Sequence, residues 1–174
     1  YATLVGLTYT PDTFACGVDI VGPSNLETLL STIPPYWAPV VAQFHERMGN
    51  PNTPEGKQLL IDASPLYKAD QIVKPLLIGQ GANDPRVNQA ESDQIVEAMK
   101  AKNIPVTYVL FPDEGHGFAK PSNNIAFNAV TENFLATCLG GRAEPIADTI
   151  EESTAQIEEG ADFVQGLKAA IDAD

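Results

Sequence analysis

Apolar residues along the chain gather in short segments separated by polar, proline-rich and glycine-rich stretches. Three of these segments have the length and apolar character of buried strands, at residues 16–21 (CGVDIV), 73–79 (VKPLLIG) and 106–111 (VTYVLF). The near-continuous apolar character of residues 73–79 fits a strand covered on both faces.

Helical patterns alternate with these strands. Helices are predicted at residues 2–9, from Ser24 toward Leu30, at 90–102 and at 123–139. Strands that alternate with helices require right-handed crossovers, with the helices lying on the faces of the sheet. The predicted fold class is therefore α/β, with about three parallel strands. Residues 33–65 carry many prolines and the only tryptophan, and they predict an insertion of short helices and loops.

Charge divides the chain into two parts. The formal net charge is −13, and residues 144–174 hold nine acidic residues and a single lysine. We therefore expect an acidic C-terminal tail, residues 143–174, to lie largely in solvent. Apolar residues recur in it at helical spacing and predict a partly helical segment that could also dock onto a partner: Ile157, Ala161, Val164, Leu167 and Ile171.

Composition excludes two kinds of partner. The ten basic residues are scattered along the chain and form no cluster of the kind that binds nucleic acid phosphates. No run of about 18 apolar residues is present, so no membrane-spanning helix is expected.

The two cysteines are far apart in the sequence. Cys16 and Cys138 form no CxxC pair and have no histidine cluster beside them, so neither a metal site nor any other cofactor is expected. Each lies in an apolar stretch, and the favoured interpretation is two small buried side chains rather than a disulfide.

Ionisable residues follow the second and third predicted strands. Asp84 lies in the loop NDPRV, and His116 lies in the loop DEGHGF. Because the carboxyl ends of neighbouring parallel strands meet at one edge of a sheet, the two loops should adjoin. There a carboxylate can accept a hydrogen bond from imidazole Nδ1 and so hold the ring as a general base. Taken singly, each residue has a more ordinary interpretation, as a helix cap or a structural histidine.

Together these motifs resemble the prolyl oligopeptidase family of serine peptidases, which includes acylaminoacyl-peptidases and dipeptidyl aminopeptidases. The matching residues are Ser64-Pro65-Leu66, Lys74-Pro75-Leu76-Leu77-Ile78, Asn83-Asp84-Pro85-Arg86-Val87 and Asp113-Glu114-Gly115-His116-Gly117-Phe118. The resemblance covers roughly residues 1–142 and implies the C-terminal part of an α/β-hydrolase domain that cleaves oligopeptides. Asp84 would be the acid of the catalytic triad and His116 its general base.

The resemblance also implies that the nucleophile is outside the chain. The family carries its serine in a Gly-x-Ser-x-Gly-Gly turn, and the residues from Tyr1 onward resemble the segment directly after that turn. No serine of this sequence is framed as G-x-S-x-G. We therefore expect the 174 residues alone to be inactive, because losing a triad member costs several orders of magnitude in rate.

A chain that begins there would leave the strand 16–21 as an exposed apolar edge. Such an edge pairs readily with another chain, so a homodimer or higher oligomer through Cys16–Val21 is expected. Two other functions stay open: a non-enzymatic α/β module that binds a partner through its tail, and part of an α/β-hydrolase esterase. An upstream G-x-S-x-G turn would discriminate against the binding module.

Two smaller groups of residues have alternative roles. Tyr36, Trp37 and Phe44 in the insertion either line a substrate pocket or, as the favoured interpretation, pack the insertion onto the sheet. Asp113 and Glu114 either place negative charge beside the imidazole or cap the turn after it.

Overall fold

A four-stranded sheet with helices on both faces organises the chain, which a computed structural model describes over residues 1–172. In chain order the elements are α1 (Ala2–Tyr9), β1 (Gly17–Ile20), α2 (Leu26–Ser31), α3 (Val41–Met48), α4 (Pro54–Ala63), β2 (Leu76–Gly81), α5 (Gln89–Lys100), β3 (Val106–Phe111), α6 (Pro121–Leu139), β4 (Gln156–Glu159) and α7 (Leu167–Ile171). Short 3₁₀ segments lie at Pro35–Val40, Pro65–Gln71, Ala147–Thr149 and Ala161–Phe163.

The sheet has the strand order β1-β2-β3-β4. The first three strands are parallel, with Gly17 opposite Leu76 and Leu76 opposite Val106, while β4 is antiparallel to β3. The predicted α/β fold with three parallel strands is confirmed. β2 begins three residues later than expected, directly after Pro75, which has no N–H to donate to a strand neighbour.

The core is divided by the sheet into two layers. On one face, α1, α5 and the 3₁₀ segment Pro65–Gln71 pack over β2 and β3 with fully buried side chains such as Leu4, Ile78 and Met99. On the other face, α6 packs its aromatic residues against Leu77, Val109 and Phe111. Alternate residues of β2 thus enter opposite layers, which is why the strand begins with three consecutive apolar residues, Leu76, Leu77 and Ile78.

The C-terminal segment, residues 143–172, packs against the sheet, in contrast to the solvated tail expected from its charge. It buries four apolar side chains in the layer beside α6, namely Ile146, Ile150, Val164 and Leu167. Of the residues predicted to form one helix, Leu167 and Ile171 lie in α7 and Ala161 begins a 3₁₀ segment, whereas Ile157 lies in β4 opposite Val109. The spacing of apolar residues does not predict β4, because this strand pairs with the edge of β3, and that edge exists only in the folded protein. The last two residues of the predicted tail lie outside the described residues.

Cys16 and Cys138 form a disulfide, with their Cα atoms 6.3 Å apart. The interpretation as two separate buried thiols is therefore wrong. Cys16 directly precedes β1, and Cys138 lies in the last turn of α6. The pairing depends on how α6 crosses the sheet, which spacing in the sequence does not encode.

Opening this disulfide is expected to lower the free energy of unfolding by about 2–4 kcal/mol, because the bond restricts the unfolded chain across a long loop. The two cysteines are 122 residues apart. Urea unfolding with and without reductant measures the effect, and the Cys16→Ser/Cys138→Ser variant should not respond to reductant. An unreduced protein whose mass includes both thiol hydrogens would contradict the assignment.

Candidate active site

Two loops meet at the carboxyl edge of the parallel strands. β2 ends at Gly81 and β3 ends at Phe111, and these two residues lie opposite each other in the sheet. The loop after β2 carries Asp84, and the loop after β3 carries His116. The structure brings these two side chains into contact.

The Asp84 carboxylate is oriented toward the imidazole by the backbone of its own loop. Its Oδ1 atom accepts hydrogen bonds from the N–H groups of Arg86 at 2.8 Å and Val87 at 3.0 Å. Its Oδ2 atom lies 2.7 Å from Nδ1 of His116. Since the carboxylate accepts and Nδ1 donates, the neutral ring leaves Nε2 free to take a proton from another group.

The two side chains differ in their access to solvent. The Asp84 side chain has no exposed surface, whereas the imidazole of His116 is 32% exposed. A buried carboxylate behind a partly exposed imidazole can orient the ring and stabilise its cationic form without meeting a substrate itself.

Glycines on either side of His116 shape its loop. Gly115 and Gly117 pair with each other in an isolated antiparallel bridge, so the chain reverses at the histidine. Gly117 has a φ of +104°, a backbone conformation that side-chain-bearing residues rarely adopt. The reversal presents the imidazole at the tip of the turn.

Glu114 connects the beginning of the His116 loop to the residues at the start of α6. Its buried carboxylate accepts hydrogen bonds from the N–H groups of Ala119 at 3.0 Å and Lys120 at 2.8 Å, and from the amide of Asn123 at 2.9 Å. Burial raises the pKa of Glu114, but these hydrogen bonds outweigh burial and hold the pKa below its usual value. Of the two predicted roles, the structure shows the cap.

The backbones of the two loops are in direct contact. The N–H of Asn83 donates to the carbonyl of Glu114 at 2.9 Å, and the Asn83 side chain donates to the carbonyl of Pro112 at 2.7 Å. A Cβ atom placed on Gly81 would lie 2.6 Å from the Glu114 carbonyl oxygen and still nearer to that of Gly115. Only glycine fits at position 81 while the loops keep this spacing.

An apolar cavity of about 370 Å³ opens beside the imidazole. Its lining includes Pro23, Leu29, Ile33, Trp37, Phe44 and His116. Trp37 and Phe44 from the insertion therefore do line a cavity, whereas Tyr36 is 58% exposed and does not. Val21, also in the lining, has a φ of +51°, an unusual conformation for a β-branched residue and one of the kind found at ligand sites.

The role of one buried acidic residue, Glu91, was not predicted. The carboxylate of Glu91 accepts the N–H groups of Ser24 at 3.0 Å and Asn25 at 2.8 Å, the Gln94 amide at 2.9 Å and the hydroxyl of Thr28. It thereby ties α5, which comes after the Asp84 loop, to α2, which lines the cavity. The only signal in the sequence is that position 91 lies four residues before an apolar residue of the buried helix face.

Within residues 1–172, no three His, Cys, Asp or Glu side chains are grouped so that they could hold a metal ion. Over the same residues, no helix combines the length and the apolar character needed to cross a bilayer.

Helices on both faces of a mainly parallel sheet, with an aspartate and a histidine on consecutive strand-end loops, define the α/β-hydrolase class. The chain belongs to the prolyl oligopeptidase family, whose profile matches residues 1–142.

Similarity to individual proteins extends beyond the 142 residues that the family matches. Over 171 residues the chain is 71% identical to dipeptidyl aminopeptidase BIII of Pseudoxanthomonas mexicana, covering 98% of this chain and 25% of the relative. It is 56% identical to dipeptidyl peptidase family member 6 of Caenorhabditis elegans, covering 83% of this chain and 20% of that protein. Among solved structures, a puromycin-hydrolysing peptidase of Mycobacterium tuberculosis aligns with 80% of this chain and 20% of its own at a TM-score of 0.72 and 27% identity. The chain thus spans a quarter or less of the length of these proteins.

Proposed function

We propose that Asp84 and His116 are the acid and the general base of a serine peptidase, and that the nucleophilic serine lies outside these 174 residues. The observation that carries this proposal is the 2.7 Å contact between Asp84 Oδ2 and His116 Nδ1, with the carboxylate oriented by two backbone N–H groups. Membership of a peptidase family supports it independently.

In the proposed reaction, Nε2 of His116 takes the hydroxyl proton as the serine oxygen attacks the carbonyl carbon of the peptide bond. The imidazolium that results is stabilised by the buried Asp84 carboxylate. It then returns the proton to the amine as the carbon–nitrogen bond breaks, which leaves an acyl-serine. Water repeats the sequence with His116 as the base and releases the acid product.

The cavity beside His116 favours peptide substrates with an apolar residue next to the bond that is cleaved. Because it adjoins His116 and is lined by aromatic and aliphatic side chains, an apolar residue next to the peptide bond would fit it. The relatives from Pseudoxanthomonas and Caenorhabditis are named as a dipeptidyl aminopeptidase and a dipeptidyl peptidase. We infer that the full-length protein, meaning this chain together with the serine-bearing segment, releases dipeptides from the amino ends of oligopeptides.

The 174-residue chain alone should have no turnover, because His116 would have no serine hydroxyl to deprotonate. Its self-association also stays a prediction. Among residues 1–172, β1 has a strand neighbour on one side only, and Ile20 of that strand is 50% exposed. Pairing of two β1 edges would cover this surface in the isolated chain.

Labelling with a fluorophosphonate, which reacts with activated serines, tests the proposed function. Intact mass spectrometry should show one probe mass on the full-length protein, on a serine outside this sequence, and none on the 174-residue chain. A probe mass on a serine within the 174 residues would contradict the proposal.

A further inference from the structure

Thr154 connects the C-terminal segment to the loop that carries His116. Its N–H donates to Oδ1 of Asn123 at 2.9 Å. Its hydroxyl contacts the carboxylate of Asp113 and lies 3.1 Å from the same Asn123 oxygen. Asp113 is three residues before His116, so this contact reaches the loop that presents the imidazole.

Asn123 extends the connection inside the protein. The residue is completely buried. While its Oδ1 faces Thr154, its Nδ2 donates to Glu114 at 2.9 Å and to Asp113 at 3.1 Å. The C-terminal segment is thereby hydrogen-bonded directly to Asp113. Through the buried amide of Asn123 it is also connected to both Asp113 and Glu114.

The segment is itself held firmly at this point. Two residues after Thr154 the chain enters β4, which is hydrogen-bonded to β3, the strand that leads into the His116 loop. Four residues before Thr154, Ile150 is buried in the layer beside α6. Thr154 therefore lies between two packed parts of the segment, so its own position is fixed and its hydrogen bonds can restrict the movement of the His116 loop.

The carboxylate that Thr154 contacts stays ionised at neutral pH. Hydrogen bonds from Lys120 and then Thr154 lower the pKa of Asp113 to about 2. The acceptor for the threonine hydroxyl is thus present at every pH at which a peptidase of this kind would be assayed.

We propose that Thr154 is a positioning residue. It lies in a segment outside the family match, and from there it holds the loop of His116 in the position that proton transfer requires. The proposal rests on the proposed function. It gives the acidic tail a role in the reaction without any contact to substrate, since Thr154 is not among the residues that line the cavity.

The expected effect of losing the hydroxyl is specific. The other side of the loop stays held by Asn83 and by the ring of Phe118, which packs at a tilt against Phe111 and edge-to-face against Phe127, so the fold should persist. Less exact placement of the imidazole should lower kcat by about 3–10-fold, the effect of losing one hydrogen bond, and leave KM unchanged.

The test compares three variants of the full-length protein at a temperature where each is fully folded. For each variant, kcat and KM are measured with a dipeptide amide as substrate, and the rate of fluorophosphonate labelling is measured separately. Thr154→Val removes the hydroxyl at nearly constant volume, and Thr154→Ser restores it. Thr149→Val is the matched control, because within residues 1–172 the Thr149 hydroxyl bonds only to the Ile146 carbonyl, in the same C-terminal segment.

The proposal predicts that Thr154→Val alone loses kcat and labelling rate, and that Thr154→Ser recovers most of both. Equal behaviour of Thr154→Val and Thr149→Val, or a change confined to KM, would overturn it. The proposed function fails separately, if His116→Ala still labels at the rate of the unmodified protein.

Discussion

Asp84→Asn is expected to lower kcat of the full-length protein by about 10⁴-fold, and His116→Ala by at least as much. The asparagine effect results from the loop geometry. The N–H groups of Arg86 and Val87 require an acceptor, so the carbonyl oxygen of Asn would stay on their side. The amide NH₂ would then face Nδ1, which must become an acceptor and move the ring proton to Nε2. A ring protonated at Nε2 cannot take the serine proton.

Steady-state hydrolysis of a dipeptide amide measures this loss. His45→Ala is the matched control, because His45 is the other histidine of the chain and lies in α3, outside the cavity lining. It should change kcat little. An Asp84→Asn variant within tenfold of the unmodified protein would contradict the role of Asp84.

Gly81→Ala should have the second-largest effect. The added methyl group would meet the carbonyl oxygens of Glu114 and Gly115, which are backbone atoms and cannot rotate away. The loops of Asp84 and His116 would have to separate. We expect about a 10²-fold loss of kcat/KM from misplacement of the pair, and a loss of about 1–3 kcal/mol in the free energy of unfolding from overpacking.

Gly141→Ala provides the control, since a Cβ atom there would meet nothing within 4 Å and the residue does not have a positive φ. Activity assays and urea unfolding of both variants separate the two effects. If Gly81→Ala matched Gly141→Ala in both measurements, the close approach of the loops would have no consequence for the site.

How much the sequence predicts depends on how local each feature is. The strands of the parallel sheet are short, mainly apolar segments with Gly or Pro close to their ends, and each loop carries its ionisable residue within a few positions of a strand end. Strand adjacency is then given by general rules of α/β folds, which bring Asp84 and His116 to one edge.

Features that depend on packing between distant parts of the chain could not be predicted. The Cys16–Cys138 disulfide depends on where α6 ends above β1. Glu91 acquires its role only when α2 lies against α5. The pairing of β4 with β3 depends on an edge that no pattern in residues 156–159 reveals, and Thr154 reaches the loop only as a result of that pairing.

The most direct test of the acid–base assignment is a crystal structure of the full-length protein after reaction with a fluorophosphonate. The expected result is a phosphonylated serine outside this sequence, with its Oγ within about 3 Å of Nε2 of His116 and Nδ1 still bound to Asp84. An adduct on a serine out of reach of His116 would contradict the assignment of these two residues as acid and base.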